Sequence, residues 1–133
     1  SFTTEEIYQL VSKNYKSIHL EKFLNFPKEF KNNQLNEKWS ELNKIRDICN
    51  ISIEEKRASK EIGSSLEADL KIELSQKLKD LTEKTDFSEL CITSKAEVFY
   101  KDDIETKAIT TKAKGSKCPV CWKISEVSCP RHP

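Results

Sequence analysis

Cysteine and histidine are sparse in this chain until its end, where KCPVCWKISEVSCPRHP holds Cys118, Cys121, Cys129 and His132. Their spacing, C-x2-C-x7-C-x2-H, makes two half-sites with two residues inside each pair. A turn of that size lets two donor atoms converge on one ion, and two such turns supply the four ligands that tetrahedral zinc takes. Three thiolates and an imidazole leave no position for water, so a metal held this way is structural and activates nothing. Because thiols must lose their protons to bind, the site is expected to weaken in acid. So short a stretch has no hydrophobic core, and one zinc per chain would supply its folding free energy. A redox pair and loose thiols are the other readings of CxxC. The redox reading wants a helix start in a βαβ context, which the flanking residues do not offer, and the matched second half-site argues against both.

Trp122 directly follows the second cysteine, where a knuckle turn exposes its neighbours. An unstacked base could lie on the indole while Lys114, Lys117, Lys123 and Arg131 meet phosphates. Spacing alone leaves it equally open that Trp122 packs over the metal site. From Lys107 onward the charges are Lys107, Lys112, Lys114, Lys117, Lys123 and Arg131 against Glu126, about +5 in a chain of net charge +1. Such an end suits a polyanion partner or is simply a solvated tail.

Other elements must position this cluster. SFTTEEIYQLV predicts a helix with Thr3 as cap, Glu6 closing a capping box, and Phe2 with Ile7 as a hydrophobic staple. KSIHLEKFLNFP is a mixed connection. Leu35, Trp39, Leu42, Ile45, Cys49 and Ile53 recur at spacings of three and four, which predicts one long helix from about Gln34 to Glu61, stopped at Gly63 and burying that stripe. In LEADLKIEL, Leu66, Ala68, Leu70, Ile72 and Leu74 alternate with charged residues, the pattern of a half-buried strand. SQKLKDLTEK returns to helical spacing. LCITS and AEVFY read as one long strand or two short ones, with Cys91 alternating into strand, and TKAITTKAK as a last strand. The fold class is α+β: helices, a β-α-β-β unit and the cysteine cluster, with boundaries at 1–62, 63–114 and 115–133. Cys49 and Cys91 read as core thiols and His19 as structural.

No Ser/His/Asp arrangement, phosphate loop or dinucleotide fingerprint is present, so catalysis by this stretch alone is not expected. No apolar run is long enough to span a bilayer, and no signal peptide opens the sequence. The odd, clustered cysteine count is not that of a secreted disulfide framework, and a cytoplasmic location is expected. The chain opens at Ser1 inside a helix-start pattern without methionine, so it is expected to be a piece of a longer protein.

Several of these stretches together resemble the C-terminal end of bacterial isoleucyl-tRNA synthetases. SFTTEEIY and SIHLEKF resemble the end of the family's anticodon-binding bundle. KWSELNKIRDICNISIEEKRASKEIGSSLEADLKIEL resembles its long helix, GSSLEA turn and following strand, and LCITSKAEV the next strand pair. KCPVCW matches the family's KCxRCW knuckle, and CPRH falls where the family shows CxRC. Val120 stands where that pattern has arginine, His132 replaces the fourth cysteine, and the linker between half-sites is short. The resemblance implies a class I aminoacyl-tRNA synthetase, a ligase of protein biosynthesis that activates isoleucine with ATP and charges tRNA(Ile). The HIGH and KMSKS motifs of the ATP-binding core and any editing domain are absent from this sequence and are expected upstream. What remains implies a monomeric chain's anticodon-recognising end: the last part of the helical bundle, a small α+β junction and a zinc module on the anticodon stem-loop.

Two other classes compete. A DNA-binding zinc finger of the base-excision glycosylase type also uses paired half-sites near a C-terminus, and a purely structural cap would dock on its own chain.

Overall fold

The computed structural model describes residues 2–12, 16–129 and 131–132. Ser1 of the helix-start pattern and Pro130 of CPRH lie outside them. Two compact units emerge, Ser1–Asn32 and Asn33–Pro133.

In the first unit, helix α1 spans Phe2–Val11 and buries none of its residues. It already includes Thr3, so the expected cap at Thr3 does not form, and Phe2 (96% exposed) and Ile7 (56%) make no staple. The carboxylate of Glu5 instead ties this helix to the turn that follows. It accepts from Ser17 Oγ at 2.9 Å and from the Ile18 amide at 3.0 Å. A 3-10 turn follows at Ile18–Leu20, where His19 is exposed rather than packed. Leu20, Phe23, Leu24, Phe26 and Phe30 also face outward.

The second unit is built on helix α2, Asn33–Ala58, and a three-stranded mixed sheet. Strand β1 (Ala68–Ser75) is central. It pairs in parallel with β2 (Lys95–Lys101) and antiparallel with β3 (Lys107–Lys112). The period-two pattern of β1 puts Ala68, Leu70, Ile72 and Leu74 into a core shared with Leu42, Ile45, Cys49 and Ile53 of α2. The boundary drawn at residue 62 therefore falls inside one core. Ser52 Oγ fixes α2 to β3, lying 2.8 Å from Thr110 Oγ1 and accepting from the Thr110 amide at 3.1 Å. A helix of 26 residues is about 39 Å long, whereas an eight-residue strand covers about 26 Å. Hence the stripe is buried only from Leu42 on. Leu35 and Trp39, expected inside, are 49% and 47% exposed.

Two helix ends depart from the sequence reading for the same reason. Helix α2 ends at Ala58, short of Gly63, and Lys60 just beyond it takes φ +60°, with the Glu61 amide reaching back to the Lys56 carbonyl and that of Lys60 to Arg57. That is a Schellman ending on a non-glycine residue. Between β1 and β2 the chain forms a 3-10 turn (Gln76–Leu78) and two short helices, α3 (Lys79–Thr82) and α4 (Phe87–Leu90). Ile92 (φ +55°) closes α4 through Thr93 N–H to Ser88 O and Ile92 N–H to Glu89 O. LCITS is therefore helix end and turn, not strand. Cys91 reaches the core from that turn, and its neighbouring thiol together with burial pushes the Cys49 thiol far up. Both are free, as expected of core thiols. Among the described residues no helix is long and apolar enough to cross a membrane.

Candidate metal centre and nucleic-acid interface

After β3, Ala113 joins the sheet's edge through its amide to the Glu67 carbonyl. The chain then enters a small hairpin, β4 (Ser116–Lys117) paired antiparallel with β5 (Ile124–Ser125). Gly115 makes the entry possible. Its φ is +119°, and a Cβ there would lie 2.1 Å from the Ser125 carbonyl oxygen. Across the hairpin, the Cys118 amide donates to Lys123 O and the Trp122 amide to Cys118 O.

This turn and the final segment bring the four predicted ligands together. One donor atom from each of Cys118, Cys121, Cys129 and His132 lies within 4.8 Å of every other. Cys121 Sγ is 3.6 Å from Cys129 Sγ, and His132 Nδ1 is 3.7 Å from Cys118 Sγ and 3.6 Å from Cys129 Sγ. Zinc–sulfur bonds of about 2.3 Å and zinc–nitrogen bonds of about 2.0–2.1 Å, set tetrahedrally, give ligand–ligand edges of about 3.5–3.8 Å. The donor set and its spacings fit a closed four-coordinate metal.

The electrostatics suit thiolates. Backbone amides of Cys121 and Val120 point at the Cys118 sulfur and hold its thiol down to about 6. The Arg131 amide does the same for Cys129, whose thiol is also lowered. The Cys129 and Cys118 sulfurs draw the His132 imidazole upward. The Lys123 amide favours the Cys121 thiolate, yet burial and the neighbouring Cys129 and Cys118 sulfurs leave its thiol raised.

The structure places the other predicted residues in two groups. Lys114 and Lys117 are exposed and make no ion pair among the described residues, and Lys117 Nζ lies 5.5 Å from the Trp122 ring centroid. The Trp122 residue is 58% exposed. Trp122 sits at φ +65°, a region costly for any residue with a Cβ. By contrast, Lys123 and Arg131 both turn back to one carboxylate, Glu89 of α4.

Sequence reasoning missed three positioning residues. Glu89 is one. Ser94 is the second: its hydroxyl donates to Leu66 O at 2.5 Å and accepts from the Ile124 amide at 2.6 Å, docking β5 on the start of β1. Gly115 is the third, and it alone carried a signal, as one of only two glycines in the chain. Glu89 is itself held by the cap of α4, where Asp86 Oδ1 accepts from Ser88 N–H, Ser88 Oγ and Glu89 N–H. Chiefly the Ser88 hydroxyl keeps the Asp86 carboxyl below its usual range. A folded-state value below the unfolded one gives stability that is complete above about pH 4 and is lost as pH falls through the lower, folded value. Asp86→Ala is expected to cost about 1 kcal/mol at neutral pH. The gap from wild type, read by denaturant titration, should shrink toward pH 3; a gap constant with pH would refute the cap's role.

Fold and site together define an α+β module that ends in a Cys/His group able to hold a metal ion. No protein-family model matches the chain. It is 59% identical over 132 residues, 99% of its length, to isoleucine–tRNA ligase of Pelagibacter ubique. It is 33% identical over 94% of its length to the enzyme of the same name from Bartonella henselae, and 36% identical over 92% to that of Brucella abortus. Over the stretch it spans, the chain belongs to the isoleucine–tRNA ligases. That stretch is about 15% of the length of the Pelagibacter relative and 14% of the other two.

Proposed function

We propose that this chain is the C-terminal, anticodon-recognising segment of a cytoplasmic isoleucine–tRNA ligase and that it binds tRNA(Ile) through a zinc-folded knuckle. Zinc sits on Cys118, Cys121, Cys129 and His132 and shapes the surface around it. Trp122 offers its face to a base splayed from the anticodon loop, and Lys114 and Lys117 meet phosphates. Activation of isoleucine with ATP, transfer to tRNA and editing belong to upstream parts of a monomeric protein. The exposed Phe2, Leu10, Val11, Phe23 and Phe26 are apolar surface of the kind such parts would cover.

One observation carries the reading beyond the family likeness. An exposed tryptophan is held in left-handed backbone beside a preformed set of four metal donors. Left-handed backbone costs about 1–2 kcal/mol, and strain of this kind gathers at functional sites. Trp122→Ala should weaken tRNA affinity by about 1–3 kcal/mol. Trp122→Gly should weaken it as much yet stabilise the knuckle by about 1 kcal/mol relative to Ala, because glycine accepts this backbone freely. Zinc affinity falling in step with tRNA affinity in both variants would mean that the ring serves the fold. Competition between tRNA and duplex DNA for the zinc-loaded chain tests the partner class, and a preference for duplex would overturn the RNA reading.

A further inference from the structure

We infer that Glu89 is a positioning residue that locks the knuckle to the sheet and withdraws Lys123 and Arg131 from contact with nucleic acid. The inference rests on the RNA-binding reading above for its consequence, though not for its geometry. A single oxygen, Glu89 Oε1, lies 2.7 Å from Lys123 Nζ and 2.9 Å from Arg131 Nη2. The two cations come from different arms of the metal site. Lys123 lies two residues beyond Cys121, and Arg131 stands between Cys129 and His132. One carboxylate therefore ties both half-sites to α4, whose own position is fixed by the Asp86 cap. The Ser94 hydroxyl adds a second tie at Ile124. Two points of attachment fix a direction as well as a location, so the face bearing Trp122 is presented at a set angle to the sheet.

The same geometry sorts the basic residues of the tail. The Lys123 side chain is only 22% exposed, and its charge and that of Arg131 are spent on Glu89. Neutralised in place, neither can release counterions from a phosphate backbone without first breaking an internal pair. Lys114 and Lys117 have no carboxylate partner among the described residues, and they remain available. The phosphate-reading cations thus lie on the segment entering the knuckle, with Lys117 beside the Trp122 ring.

Salt dependence separates phosphate contacts from internal struts, because each phosphate neutralised adds about 0.7–0.9 to the slope of log affinity against log salt. With the zinc-loaded chain and tRNA, Lys117→Gln should flatten that slope by about this amount. Lys123→Gln and Arg131→Gln should leave the slope unchanged while lowering affinity equally at all salt concentrations. Glu89→Gln should steepen it by freeing both cations. Acetylation of lysines in the same protein without RNA gives a second readout. Lys123 should react several-fold more slowly than Lys114, and Glu89→Gln should abolish that protection. Slopes flattened equally by Lys117→Gln, Lys123→Gln and Arg131→Gln would overturn the inference, as would equal acetylation of Lys114 and Lys123. Absence of salt-dependent tRNA binding in the wild type would overturn the RNA reading instead, and acetylation would then decide the role of Glu89 alone.

Discussion

Stripping metal from this chain with a chelator is expected to melt the β4–β5 hairpin and its Cys/His cluster and leave the three-stranded sheet standing. The two regions draw stability from different sources. Leu70, Ile72 and Leu74 of β1 are fully buried against α2. The knuckle has paired strands of only two residues each, and Cys118 is its one buried side chain among the described residues. In modules of this size metal binding contributes about 10–16 kcal/mol, far more than a two-residue hairpin can replace. Amide protection at Cys118 and Trp122 should vanish on chelation while that of β1 persists, and tRNA affinity should fall with it. Acid should act like the chelator. Cys118, held down to about 6 by the Cys121 and Val120 amides, is largely thiolate at neutral pH, but the raised Cys121 thiol must also give up its proton to bind, so protons compete increasingly with metal as pH falls. Loss of protection across sheet and knuckle together would contradict this division.

Gly115→Ala should damage the knuckle severely. The added methyl meets the Ser125 carbonyl oxygen at 2.1 Å and the Glu126 amide nitrogen at 2.6 Å, both backbone atoms that no rotamer change can move. The backbone at φ +119° is itself unfavourable for alanine. Together these predict a loss of about 2–4 kcal/mol, concentrated in the β4–β5 hairpin. Zinc affinity should drop while the melting of the sheet changes little. Gly63→Ala is the control. A Cβ there meets only the Glu67 carboxylate at ordinary van der Waals distance, 3.5 Å and beyond. Equal effects of the two substitutions would refute this account of the hairpin.

The gathering of Cys118, Cys121, Cys129 and His132 into one group able to hold a metal was legible because such a group depends on donor type and short spacing, and both are written locally in the sequence. Strand β1 was legible too, since one face buried and one solvated impose a period of two. What the sequence hid were endings and ties. Helix α2 and helix α4 are followed by Lys60 and Ile92 in left-handed backbone, where a reader looks for glycine, and this chain has only two glycines to offer. Reading LCITS as strand followed from its β-branched residues, but the Asp86 cap and the hydrogen bonds of Thr93 and Ile92 decide that stretch. Trp39 kept helical register with a buried stripe that the sheet is too short to cover. Glu89 and Ser94 gave no signal at all. Their partners lie about 30 residues or more away, and an exposed glutamate in a charged chain has nothing to mark it.

The knuckle is proposed to stand on four side chains sharing one ion, and metal content per folded chain measures that directly. Elemental analysis of protein purified without chelator should find one zinc per chain, retained through dialysis. It should find a sharp loss in both Cys129→Ser and His132→Ala, and no change in Cys49→Ser. Wild-type protein without stoichiometric metal, or full retention in both ligand variants, would contradict that proposal.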